Sequence, residues 1–449
     1  METRGARARR ATVEARALGL AALPTFAALP PAVVLQIFLA LPVDSRLRCL
    51  EVSRTWRDAL SGERALWTHI DLSATSGAAR FSLALLQAAP ARARGGLVSL
   101  GLPRTSLTRP GLFDALAAVC AANAGTLREL NLDKAMCFTF EQLGALLRAA
   151  PSLQLLKCDG SFSNAPDACE VLRRQLRFAP VRLRLLELRR RPLADEQLVE
   201  MMAACGAHAS LERLRFSCTL SGSRAALEAV ADAAIATRLR ELLLGGVGPS
   251  GSGVNATSAP ALARLLSTST WLASLYVVCG QGCPPLAEDA PAARALSAAL
   301  RANRTLRHLM LRGVGLWRDM AVAEALLGAL VGHPSLGHVV LSGEAIGLEG
   351  ALAAGELLAA LVAADAPALQ ILHLGNCSLG DAGLRPLLDA LPNNTHLQEL
   401  GLSGCTMSAG FARGLLLAAV RANTSLRLLK TGFAAAAAAE QLVAARAGA

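Results

Sequence analysis

His308, His338 and His373 are the residues in this chain most open to a chemical reading. Imidazole ligates metals, moves protons and changes charge near neutral pH. The separations of the three, 30 and 35 residues, follow the repeat described below, so no metal is assigned to them. Cys279 and Cys283 form a C-x3-C with no second ligand pair nearby, which is not a zinc pattern. The Gly-rich stretch GGVGPSGSGVNATSAP from Gly245 has no Gly-Lys-Ser/Thr after it and is no phosphate loop. G-x-S-x-G and H-E-x-x-H are missing as well. The sequence therefore nominates no catalytic residue, no metal and no cofactor.

The elements that place these residues follow from composition and pattern. Of 449 residues 53% are hydrophobic, enough for a large core, which excludes a mainly disordered chain. The formal charge of +11 comes almost wholly from Arg, since Lys134, Lys157 and Lys430 are the only lysines. Most of the Arg residues are scattered rather than massed, which argues against a nucleic-acid partner. Eleven cysteines, spread without tight pairing, read as reduced thiols in the cytoplasm and/or nucleus. Ala17 to Val43 carry no charge, but Pro24, Pro30, Pro31 and Pro42 interrupt the run, so no membrane span is assigned.

From Leu97 onward L-x-x-L-x-L recurs with conservative substitutions. Its copies start at Leu97, Leu127, Leu153, Leu183, Leu211, Leu239, Leu272, Leu306, Leu336, Leu369, Leu397 and Leu426. The period of about 30 resembles the leucine-rich repeat, at its long, ribonuclease-inhibitor-like end. Each triplet predicts a short strand with its leucines inward, followed by a returning helix, as around Leu143, Leu146 and Leu147. One unit cannot bury both faces, but stacked units can. The expected fold is α/β: a solenoid over 71–432 with a parallel concave sheet and convex helices. Residues 433–449 read as an Ala-rich cap helix or tail.

Strand alternation names the concave face. Its outward positions include Lys157, Arg189, Arg213, Arg215, Tyr276, His308, Arg312, His338 and His373, taken as the substrate-binding set. The face begins acidic, turns basic near its middle and becomes His-rich later. Cys377 and Cys405, each eight residues after a first Leu, read as structural. The turns at Asn303, Asn394 and Asn423 account for three N-x-[ST] matches without a glycan. Two long connections, from Gly245 and from Val278, are expected on one rim as part of the substrate contact.

Ahead of the repeats, Pro-punctuated short helices carry more apolar side chains than about 45 residues can bury alone. The stretch LPPAVVLQIFLALPVDSRLRCLEVSRTWRDALSGERALW, roughly residues 29 to 67, resembles the F-box. The shared order is LP, I-F, LP, a Leu-rich turn, V-S-x-x-W, then L-W. The chain departs from the family at Ala32, Ala40 and Arg46, departures expected to weaken partner binding without changing its mode. The organisation read is a flexible Arg-rich arm at 1–24, an F-box at 25–70, then the solenoid.

The resemblance implies the substrate receptor of an SCF-type ubiquitin ligase. In that role the F-box docks on a Skp adaptor, and through it on cullin and a RING subunit, while the repeats hold a protein target. Leu29, Pro30, Leu35, Ile37, Phe38, Leu41, Leu47, Leu50, Val52 and Trp56 form the docking and module-core set. The alternatives are a scaffold or inhibitor without a ligase role, or a regulator of a small GTPase.

Overall fold

The computed structural model describes residues 29–72, 83–102, 105–106, 111–132, 135–136, 140–158, 174, 182–189, 195–208, 210–217, 224–245, 259–279, 290–343, 346 and 348–447. The 1–24 arm, Cys283 and most of the two long connections lie outside these.

Three short helices open the chain: α1 (Pro31–Ala40), α2 (Val43–Cys49) and α3 (Arg54–Gly62). Pro31 sits in the first turn of α1, where its missing N–H is not needed. Pro42 precedes α2, which starts at Val43 without a side-chain cap, so Asp44 and Ser45 lie inside the helix. Ser53 caps α3, its Oγ accepting from the Trp56 N–H at 3.1 Å.

The rest is one open sheet of thirteen parallel strands joined mostly by helices. The strands are β1 (His69–Asp71), β2 (Ser99–Gly101), β4 (Glu129–Asn131), β6 (Leu155–Cys158), β7 (Leu185–Arg189), β8 (Arg213–Ser217), β9 (Glu241–Gly245), β10 (Ser274–Val278), β11 (His308–Arg312), β12 (His338–Ser342), β13 (Ile371–His373), β14 (Glu399–Gly401) and β15 (Leu428–Lys430), in sequence order. β3 (Thr105–Ser106) and β5 (Ala135–Met136) pair separately. The helices are α4 (Leu83–Ala91), α5 (Leu112–Ala122), α6 (Phe140–Ala149), α7 (Asp195–Gly206), α8 (Arg224–Ala236), α9 (Ala259–Thr268), α10 (Ala290–Ala302), α11 (Met320–Leu330), α12 (Leu348–Ala363), α13 (Gly380–Ala390), α14 (Leu417–Ala422) and α15 (Ala437–Ala447). This is an α/β solenoid behind a helical N-terminal module, the class read from the sequence.

Every one of the twelve triplets lands on a strand. Leu100, Leu130, Leu156, Leu242, Leu372 and Leu400 are fully buried, stacked in register from strand to strand. The thirteenth strand is a repeat that the Leu pattern misses. Trp67-x-x-Ile70-x-Leu72 holds the same three places with different side chains, all three buried, thirty residues before Leu97. A domain boundary at 70/71 therefore falls inside β1, and the helical module runs directly into the sheet.

Buried polar residues close the turns. Asn303 Nδ2 donates to the Leu266 carbonyl at 2.7 Å while its Oδ1 accepts from the Leu306 N–H at 2.7 Å. Asn394 and Asn423 repeat the arrangement three and four repeats on. Asn303 and Asn423 are thus buried structural residues, whereas Asn393, the residue of the N-x-T match beside Asn394, is exposed. Cys377 Sγ donates to the Leu341 carbonyl at 3.2 Å and Cys405 Sγ to that of Leu374 at 2.8 Å, ties between neighbouring repeats. Burial pushes the Cys405 thiol above its usual pKa, as a structural role requires. The Ala-rich end is a helix: α15 buries Ala439 and Val443, and Arg446 Nη1 donates to the last-turn carbonyls of Val420 and Asn423.

Candidate functional site

Two surfaces stand out, one on each part of the chain.

The first is on the helical module. Phe38, Val43, Leu50, Leu60, Leu66 and Trp67 are buried and belong to the same apolar core as the solenoid. Trp67 fixes the junction. Its Nε1–H donates to the Leu60 carbonyl at 2.7 Å, and the guanidinium carbons of Arg46 and Arg92 lie 5.9 and 5.3 Å from its ring centroid. Phe38 meets Trp56 edge to face at 5.6 Å. Of the ten residues assigned to docking and core, Phe38 and Leu50 are buried, and Leu29, Leu35, Leu41, Leu47 and Trp56 are half-buried. Pro30, Ile37 and Val52 are exposed.

The exposed set extends further than the sequence reading. Val33, Ile37 and Leu39 on α1 are 43%, 40% and 44% exposed, and Val52 after α2 is 62% exposed. Four large aliphatic side chains on so small a module leave apolar surface for a visitor. Beside them Leu29, Pro31, Val34, Leu35, Phe38 and Leu66 line a cavity of about 260 Å³.

Arg46 does not belong to this surface. It is buried, its Nε donating to the Leu41 carbonyl at 3.0 Å and its Nη1 to the carbonyl of Leu66. A change at an apolar family position thus became a polar tie between α2 and the turn before β1. The Arg46 side chain is thus spent inside the module.

The second surface is the face of the sheet turned away from the helices. Lys157 is half-exposed, and the side chain of Arg189 lies outside the described residues. Arg213 stands opposite Glu241 in register. Arg215 is committed: it lies 2.5 Å from Glu241 and 3.6 Å from the fully buried Glu187. In the basic middle Arg215 is therefore tied to carboxylates on both neighbouring strands rather than free.

Beyond it the register row Leu243, Tyr276, Met310, Val340 forms an apolar strip, half-buried at its first three residues and buried at Val340. His308 and His338 share a row alongside it, and His373 follows Val340 in the strip's own row. Ser274 Oγ lies 2.9 Å from His308 Nδ1. The rings of His308 and His338 are 5.8 Å apart and those of His338 and His373 5.5 Å, both edge to face. His373 Nε2–H donates to Glu399 Oε1 at 2.8 Å, and Lys430 Nζ donates to the same oxygen. Gly401 permits this: a Cβ there would sit 2.6 Å from the His373 ring.

Burial holds His338 below the ordinary imidazole pKa, and the charges of His373, His308 and Lys430 add to that against Glu399. For Glu399 burial opposes ionisation, but the hydrogen bonds and charges of Lys430 and His373 outweigh it and keep its pKa low. Arg312 is exposed at the far end of β11.

The site thus gains Ser274, Glu399 and Lys430. Glu399 and Lys430 occupy the same outward register positions as the named residues, so alternation alone could have found them. Among the described residues no group of His, Cys, Asp and Glu is placed to hold a metal ion. None of the described helices is long and apolar enough to cross a membrane.

Comparison with known protein families matches residues 26–73 to the F-box-like family. No curated protein matches the chain. The N-terminal module is therefore an F-box-like domain, and its match extends through β1 into the sheet.

Proposed function

We propose that this chain is the substrate-recognition subunit of an SCF-type cullin-RING ubiquitin ligase, built on leucine-rich repeats of the ribonuclease-inhibitor-like type. The F-box-like domain docks on a Skp adaptor and so reaches cullin and the RING subunit. The open sheet face holds a target protein. The chain supplies proximity, not bond chemistry: it raises the concentration of a target lysine near the activated ubiquitin. It works in the cytoplasm, the nucleus or both.

The observation that carries this reading is the exposed aliphatic set Val33, Ile37, Leu39 and Val52 on a domain whose other side is fused to the solenoid. A cap that merely sealed the end of the stack has no use for it. Leu29 lines the cavity on the same helical module, and Pro30 is exposed just before α1. The test is co-elution of the full chain with a Skp adaptor on gel filtration. The parent chain is expected to co-elute. The pair Leu29→Ala and Pro30→Ala is expected to abolish co-elution while leaving the helical circular-dichroism signal unchanged. Co-elution that survives the pair, or never occurs, counts against the reading.

A further inference from the structure

The mouth of β11, β12 and β13 opens into a cavity of about 470 Å³ lined by Arg307, His308, Pro334, Ser335, His338 and Ile371, among others. Its ionisable lining, Arg307, His308 and His338, is cationic or able to become so, Ser335 and Gln370 add neutral polar groups, and no carboxylate lines it. His338 Nε2 is buried there with no hydrogen-bond partner. Unmatched buried polar atoms are costly, and a ligand that supplies the missing partner recovers that cost.

The neighbouring elements have the same sign. Arg307 and Arg312 flank β11, and Arg427 and Lys430 flank β15, all exposed. β10 contributes Ser274 and Tyr276, β13 His373, and the residue before β13 is Gln370. Of the carboxylates facing the array, Glu399 is engaged by His373 and Lys430, and Glu241 by Arg215. The strip Tyr276, Met310 and Val340 lies one register row away.

We propose that this face, across β10 to β15, binds an extended acidic segment of the target, with one Asp or Glu carboxylate seated among Arg307, His308 and His338 and an apolar residue on the Tyr276–Met310–Val340 strip. This deepens the receptor reading and rests on it. An anion in the cavity favours the protonated imidazoles, so binding takes up protons and strengthens as pH falls.

The test uses the full chain bound to its adaptor and a fluorescent Glu-rich peptide containing one Leu. Affinity is expected to rise roughly tenfold between about pH 7.5 and pH 6.0. Titration calorimetry in two buffers of different ionisation enthalpy is expected to show proton uptake. A peptide with Gln in place of Glu is expected to bind weakly at both values. The pair His308→Gln and His338→Gln is expected to flatten the pH response, and Arg307→Gln to weaken binding throughout. Equal affinity for the Gln peptide, or binding of the Glu peptide without proton uptake, overturns the proposal. The two calorimetric results come from the parent chain, so they decide the matter even where a variant unfolds. Adaptor co-elution is read on the same samples, so loss of the receptor role and loss of this site give different results.

Discussion

At the residue scale, the buried polar position three residues before a triplet's first Leu shows how chemistry and stability are linked in this chain. Asn fills it at 303, 394 and 423, and His333 fills it between them. His333 Nε2–H donates to the Leu300 carbonyl at 3.0 Å while its Nδ1 accepts from the N–H groups of Ser335 and Leu336. That arrangement needs a neutral ring. Burial holds the folded-state pKa below its ordinary value, and the nearby Arg304 adds to this against the carbonyl hydrogen bonds. The contribution to stability is therefore complete above about pH 6.5 and is lost as pH falls through the folded-state value. His333→Asn is expected to keep the neutral-pH melting temperature and to lose less of it on acidification, which a thermal scan across pH values checks.

Arg215 belongs to the same scale. Its Nη1 lies 3.6 Å from a carboxylate oxygen of the fully buried Glu187. Arg215→Met is expected to cost about 3 kcal/mol in denaturant unfolding, because it removes the cation that joins Glu187 and Glu241.

At the element scale, α12 and α13 pack with backbone touching backbone. A Cβ on Gly355 would lie 2.1 Å from the Gly383 carbonyl oxygen, and one on Gly383 would lie 2.6 Å from that of Ala351. Neither obstacle is a side chain that can swing away. Gly383→Ala is expected to destabilise the chain by about 2 kcal/mol or more by forcing the helices apart. Urea titration checks this.

The elements are also where the sequence was most legible. The Leu triplets placed twelve strands, their facing and their order, because a period of two on a strand leaves one solution once a face is buried. The strand at 69–71 escaped, because Trp67 and Ile70 stand where Leu stands elsewhere. Charge on the open face was legible residue by residue, but its pairing was not. Arg215 reads as free until the register sets it beside Glu187 and Glu241, carboxylates on the strands either side of its own. Arg46 reads as a surface departure until the fold turns it toward Leu41 and Leu66. Which F-box positions face outward was likewise hidden, because α1 is apolar nearly all round and its periodicity selects no face.

At the scale of the whole molecule, the F-box-like domain and the solenoid share one core through Trp67, Ile70 and Leu72. The domain is thereby held at a fixed orientation to the sheet, which a proximity device requires. Trp67→Ala is expected to cost about 3–5 kcal/mol by removing the side chain at that junction. It is also expected to raise protease sensitivity near residues 60–70, measured by limited proteolysis. The exposed aliphatic face is left over after that core is satisfied, and the proposed ligase role depends on it.

The most direct measurement is the affinity of a purified Skp adaptor for the chain carrying Val33→Glu and Ile37→Glu, with melting temperature read in parallel. Both side chains are exposed, so the fold is expected to survive while affinity falls by about 100-fold or more. Unchanged affinity in a folded variant would show that the adaptor does not use this face, and would contradict the account.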